Sequence, residues 1–331
     1  MSILLYDPLE KLNFNSRTCF LTGQDLTSDG EEISVFPKWI QDRYSLHDTK
    51  FTMMDQVTSI CYQDLKIPCS HEVFEKAINP LEQEIENAFC AGFDEVIKVP
   101  EVRLFQWMAK LVYGVLYNDL SIEQNRMAKR GNEFKLSPHL QKKFRILHLM
   151  LQSLVVPVEF KGIKPWSIRV VKIKISKDVF NYKDEPTHLN FSLGMNDFGI
   201  VACLQDNGAV GINQQEIVNK ISGKTLHPIQ FEELCSRFIY ANYLLKRSAE
   251  YHISLTGEKV IVESIPFEDA ENKSLFGSWD DDMFAQVLAD YWKPWGISKK
   301  QVYDFPNSPI SFLENDYDYS FIEPESISLP F

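Results

Sequence analysis

The sequence predicts an α+β protein built from a small N-terminal hairpin-and-helix module, a helical middle, and an antiparallel β-sheet with helices packed on it. Three observations predict this. Residues 1–60 are short apolar runs broken by turn signals. From Pro80 to about Tyr117, and again from Ser137 to about Ser153, apolar residues recur every three or four positions, the period of an amphipathic helix. After Pro157 the period switches to two, the alternation of a half-buried strand. The predicted segments are 1–82, the module; 83–156, helical; 157–304, the sheet-bearing part; and 305–331, an extended acidic and aromatic tail wrapping the surface.

In the module, Thr27-Ser28-Asp29-Gly30 marks a turn, and Pro37 stands near the start of a short helix carrying Trp39, Ile40 and Tyr44. Leu81, Ile85, Ala88 and Phe89 predict a helix, and Leu104, Phe105, Met108, Leu111, Val112, Val115 and Leu116 a second. Residues 121–135 read as a polar connection centred on Gly131-Asn132. Ser137-Pro138 then supplies a cap and a first-turn proline. The helix behind them carries Leu140, Phe144, Leu147, Met150 and Leu151 on its stripe, with Lys142, Lys143 and Arg145 off it.

The strand over residues 168–175 puts Val171, Ile173 and Ile175 on one face and Lys172 and Lys174 on the other. Residues 189–193 and 199–204 read as two more strands. Asn196 and Asp197 form the turn between them, a segment without the Lys-Ser/Thr ending of a phosphate loop. Asp206-Asn207-Gly208 is a tight-turn signal leading, as in a hairpin, into Ala209-Val-Gly-Ile212. His227-Pro228 reads as entry to a helix reaching about Lys246; a strand pair follows near 253–255 and 260–262. Asp280-Asp281-Asp282 caps a last helix over 280–291, where carboxylates favour the dipole.

A chain of 331 residues, 44% hydrophobic and 24% charged, buries a sizeable core and is too apolar for disorder. No window approaches ~18 uninterrupted apolar residues, so no membrane span is expected. The N-terminus lacks the basic start of a secretory signal. Six cysteines without framework spacing fit reduced thiols in a cytoplasmic protein. The net charge of −12 opposes a general grip on nucleic acid. Within residues 121–180, however, thirteen Lys or Arg face four carboxylates, Glu123, Glu133, Glu159 and Asp178. Lys142, Lys143, Arg145, Arg169, Lys172 and Lys174 are therefore candidate phosphate contacts, provided folding brings them together.

Two segments carry a more specific pattern: Cys19-Phe-Leu-Thr22-Gly23 with Ser34-Val35-Phe36-Pro37-Lys38-Trp39-Ile40, and Ile67-Pro68-Cys69-Ser70-His71-Glu72-Val73-Phe74-Glu75-Lys76-Ala77. They resemble the HNH-type, ββα-metal (treble-clef) endonucleases, in which a Cys-x-x-Cys-Gly knuckle precedes a Glu-His-Val-Phe-Pro-Lys-Trp-Leu-like segment. The similarity extends over roughly residues 15–250, through Leu104-Phe-Gln-Trp-Met-Ala-Lys-Leu and His227-Pro-Ile-Gln-Phe-Glu-Glu-Leu, to a large family of uncharacterised bacterial proteins with the same N-terminal domain. The resemblance implies zinc ligands at Cys19, Thr22, Ser70 and Val73, of which only Cys19 is kept. It implies the catalytic base at Ser34 and the metal environment at Phe74 and Ala77, all vacated. A serine hydroxyl takes no proton near neutral pH without an adjacent base, and neither Phe nor Ala binds a metal. Val73 and Phe74 are expected to replace zinc by apolar burial, and a salvage set of Cys19, Cys61, Cys69 and His71 matches no zinc spacing. The expectation is a protein without cofactor or metal that keeps an inactive HNH-like domain as a scaffold or interaction module. Its alternatives are nucleic-acid binding through the basic middle and a nuclease with a relocated site.

Overall fold

The structure is a computed structural model that describes residues 4–12, 14–26, 32–174, 177–267 and 274–329. The turn signal at Thr27 to Gly30 and the strand residue Ile175 lie outside the described residues. The chain divides into two compact units of mixed helix and largely antiparallel sheet. One comprises Met1–Ala88, Val99–Lys161 and Tyr251–Glu263; the other comprises Phe89–Lys98, Gly162–Glu250 and Ser264–Phe331. No helix among the described residues is long and apolar enough to cross a membrane.

The first unit is organised around the helix Glu101–Lys129, in which every residue from Leu104 to Tyr117 is buried. A helix buried all round needs an enclosing shell. That shell includes the helix Pro138–Leu151, capped by the Ser137 hydroxyl, which accepts the Leu140 N–H at 3.3 Å. It also includes the three-stranded sheet ordered Glu250–Leu255, Val260–Ile265, Val158–Gly162. The remainder is the N-terminal region, where Glu32–Ser34 pairs antiparallel with Lys66–Pro68, and Lys50–Thr52 with Ser59–Cys61. The helix Lys38–Tyr44 starts directly after Pro37.

The polar connection expected at 121–135 is shorter than its composition suggested, because the central helix runs on to Lys129. Tertiary tethers override the sequence signal there: Gln124 bonds the backbone of Phe14 and Leu12, and Arg126 pairs with Asp55 at 2.7 Å. Gly114, mid-helix, lies where a Cβ would come within 2.8 Å of both Val35 methyl groups. Alanine is the better helix former by roughly 1 kcal/mol, yet here it would press on a stiff β-branched side chain. Gly114→Ala is expected to destabilise the protein by about 1–3 kcal/mol in urea melts; a stabilised variant would show that Val35 yields freely.

In the second unit a five-stranded sheet is ordered Thr225–Leu226, Ser167–Ile173, Phe198–Cys203, Asn190–Met195, Asn181–Glu185. All neighbours are antiparallel except the short Thr225–Leu226, which runs parallel to Ser167–Ile173. The helix Pro228–Leu244, entered through a His227 capping box, lies on this sheet. Its Phe231 ring fits only because Gly199 has no side chain: a Cβ there would stand 2.4 Å from the ring. Residues 209–212, expected to continue a hairpin, form the helix Ala209–Asn213 instead. The buried Asp206 carboxylate accepts the N–H groups of Gly208 and Val210, at 3.3 and 2.8 Å, and so starts a helix where the turn signal suggested a strand. The tail does not simply wrap the surface. Leu313 is fully buried, and Glu233 accepts the N–H groups of Phe312 and Leu313.

Candidate functional site

In the first unit, several of the residues singled out by the motif line one open cavity of about 550 Å³. Ser34, Pro37, Lys38 and Trp39 come from one chain segment, Cys69, His71, Phe74 and Ile78 from the second, and Glu82, Glu86 and Lys110 from the helices behind. The local cause lies in the helix that starts at His71. Ser70 caps it by accepting the Val73 N–H at 3.4 Å. Residues Phe74–Ile78 then open into a π-turn before the α-helix resumes at Asn79–Ala91. Pro80 has no N–H to return to the Lys76 carbonyl, so the preceding turn adopts the wider pattern. That widening sets Phe74 and Ile78 on the cavity wall.

The cavity floor is a buried ion pair. The Lys110 ammonium, 1% exposed, donates to the carbonyls of Val35 at 2.6 Å and Ser34 at 3.0 Å, and to Glu82 Oε1 at 2.9 Å. Trp107 Nε1 donates to the other Glu82 oxygen at 3.1 Å. Lys110 reaches this place because Gly114, one turn on along the same face, lets the Val35 backbone approach the helix. The chain's own cation thus occupies the oxygen-rich floor behind Ser34. Sequence reasoning missed Lys110, Glu82 and Glu86; the available signal was one lysine inside an otherwise apolar helical run, which has to be paired if buried.

Of the three residues that the resemblance would place at catalytic positions, Ser34 and Phe74 line the cavity, whereas Ala77 is buried and does not. The expectation that Val73 and Phe74 are both buried is corrected: Val73 is 6% exposed, but Phe74 is only half-buried, because the π-turn puts its ring against the open cavity. Cys19, Thr22 and Ser70, which the resemblance would make zinc positions, are gathered together, and Cys69 joins them. The Phe20 N–H bonds the Pro68 carbonyl at 2.8 Å and so brings the two segments side by side. The Cys69 thiol next to Cys19, assisted by the Thr22 hydroxyl and the N–H groups of Ser70 and Leu21, holds the Cys19 thiol down to about 4 against its burial. The Cys69 proton has a second, weaker acceptor in the Ser70 carbonyl at 3.5 Å. Two sulfurs do not make the four-ligand set a structural zinc needs. Among the described residues no three His, Cys, Asp or Glu are placed to hold a metal, so the salvage set with Cys61 and His71 is not assembled either.

The six candidate phosphate contacts are divided between the units: Lys142, Lys143 and Arg145 belong to the first, Arg169, Lys172 and Lys174 to the second. Arg145 is paired with Asp7, and Lys174 with Glu325 at 2.9 Å. Arg169 and Lys172 line a cleft of about 270 Å³ with Lys224, which the sequence reading had not singled out.

No protein-family model, curated protein or solved structure matches this chain.

Proposed function

We propose that the first unit is a binding module, derived from a nuclease-like ancestor but not cleaving nucleic acid, whose cavity takes an organic cation such as the side chain of a basic residue on a partner protein. The observation that carries the reading is the cavity's lining. Trp39 and Phe74 offer aromatic surface, Glu86 and Glu32 offer carboxylates, and Lys38 is the one lysine among the described wall residues besides the internally paired Lys110. An aromatic wall beside carboxylates attracts ammonium and guanidinium groups through both the ring quadrupole and charge. The volume lies within the range of small-ligand sites, and π-turns recur at functional sites. The resemblance argues the same way, since it would place Ser34 where a base is needed and Phe74 where a metal ligand is needed.

The test is calorimetric titration of the full chain with Nα-acetyl-arginine amide and Nα-acetyl-lysine amide. One-site binding is expected, with Trp39→Ala and Glu86→Gln each raising Kd about tenfold, or about 1.4 kcal/mol, while melting stays close to wild type. Binding indifferent to both substitutions would remove the cavity from the reading. Magnesium- or manganese-dependent DNA cleavage that Ser34→Ala abolishes would overturn the non-cleaving part.

A further inference from the structure

We infer that the second unit carries a separate anion site, the cleft of Arg169, Lys172 and Lys224, and that it takes a small organic phosphate monoester. The cleft lies beside the strand Ser167–Ile173, where the short neighbouring strand Thr225–Leu226 pairs only with Lys172 and Ile173 and leaves the earlier residues of that edge without it. Its walls are apolar, with Phe93, Val218 and Ile221. No Asp or Glu is among the described lining residues, although the chain as a whole is acidic at −12.

The cations are set apart by what they lack. Just past the end of this strand and on the adjoining helix the lysines are matched: Lys174 with Glu325 at 2.9 Å, and Lys220 with Glu216 at 3.0 Å and also with Glu314. Arg169 and Lys172, both half-buried, have no carboxylate partner among the described residues. Arg169 uses one N–H to bond the Ile168 carbonyl at 2.8 Å and packs against Gly211. Lys172 holds its ammonium 5.6 Å from the centre of the Phe93 ring. Both residues line the same cleft; partly desolvating a cation without a counter-ion is unfavourable, and a bound dianion relieves it. The guanidinium keeps free donors in the fork geometry that matches phosphate oxygens. Lys224 is tied to Glu323 at 2.8 Å, but that pair is exposed, and exposed pairs are weak enough to exchange for a dianion.

The enclosed volume of about 270 Å³ suits one phosphate and a compact apolar group against Phe93. A nucleic-acid track needs a run of cations along a surface; here Lys174 at the next outward position of the strand is already paired.

The experiment titrates the full chain with phenyl phosphate, inorganic phosphate, benzoate and a twenty-nucleotide oligothymidylate. Phenyl phosphate is expected to bind at one site, more tightly than inorganic phosphate and at least tenfold more tightly than benzoate. Arg169→Gln and Lys172→Gln should each weaken it about tenfold, while Lys142→Gln leaves it unchanged and all three variants melt near wild type. Failure of phenyl phosphate to bind at millimolar concentration, or binding that survives both cleft substitutions, overturns the inference. Equal binding of benzoate overturns the phosphate class. Tighter, steeply salt-dependent binding of the oligonucleotide that the same substitutions weaken would assign the cleft to nucleic acid instead.

Discussion

Lys110→Met is expected to cost about 3–5 kcal/mol, the penalty for breaking a buried ion pair from one side. The side chain fits: methionine has similar length and suits a buried position in an apolar helical run. The loss is electrostatic. Glu82, 13% exposed in its side chain, would keep only the Trp107 donor, and the carbonyls of Ser34 and Val35 would lose theirs. Those three acceptors come from two chain segments, so the damage should concentrate where the strand Glu32–Ser34 meets the central helix. Replacing Glu82 by Gln in the same chain should recover part of the stability, since the uncompensated charge disappears while the Trp107 bond can remain. Urea melts of the two single variants and the double variant measure the coupling. A Lys110→Met protein within 1 kcal/mol of wild type would show that the ammonium does not hold the floor of the cavity.

The sequence announced most regular elements by period alone. The central helix, the capped helix after Ser137, the strands at 190–195 and 198–203 and the helix entered at His227-Pro228 all carry strong local signals that tertiary contacts then reinforce. What escaped was set by partners remote in sequence. The strand Asn181–Glu185, Asn-Tyr-Lys-Asp-Glu, has no apolar alternation and exists because Asn190–Met195 pairs with it residue for residue. Residues 121–129 look like a linker until Gln124 and Arg126 find their tethers. The hairpin signal at Asp206-Asn207-Gly208 was read correctly as a turn, with Asn207 and Gly208 at positive φ, but the same Asp206 carboxylate also caps a helix.

For the site the division is sharper. The sequence singled out Ser34 and Phe74, which line the cavity, and the segments around Cys19 and Cys69, which lie side by side. The cavity itself was not legible, because it depends on a π-turn and on Lys110 and Glu82, residues 28 positions apart that are bonded across the core. A basic stretch in the sequence likewise carries no information about which cations find carboxylates. Lys174 does, through Glu325 in the tail, and Lys172, two residues earlier, finds none among the described residues.

Lowering the pH from 7 to 4 is expected to remove about 3 kcal/mol of stability through His148 alone. His148 is 1% exposed and lies against the rings of Tyr113, at 5.0 Å, and Tyr6, at 5.7 Å. Burial pushes its pKa down from 6.5 to about 4, only partly offset by bonds to the backbone carbonyls of Phe20 and Tyr6. The neutral ring is fully used: Nε2 donates to the Phe20 carbonyl at 2.7 Å, and Nδ1 accepts from the Gln152 amide at 3.3 Å. That amide also bonds the Tyr6 backbone, accepting its N–H and donating to its carbonyl, both at 2.9 Å. A proton on Nδ1 would therefore place two donors face to face in a dry environment. Because the folded value is the lower one, the unfolded chain takes up the proton first. The contribution is complete above pH 6.5, declines as the pH falls, and levels off below about 4. His148→Gln removes the titration, so it should be less stable than wild type at pH 7 yet lose less between pH 7 and pH 4. Carboxylates shared by both proteins cancel in that comparison of urea melts. Equal acid sensitivity in the two proteins would place the His148 titration outside the folding equilibrium, and a ring that protonates near pH 6.5 in the folded state would show that it is not buried.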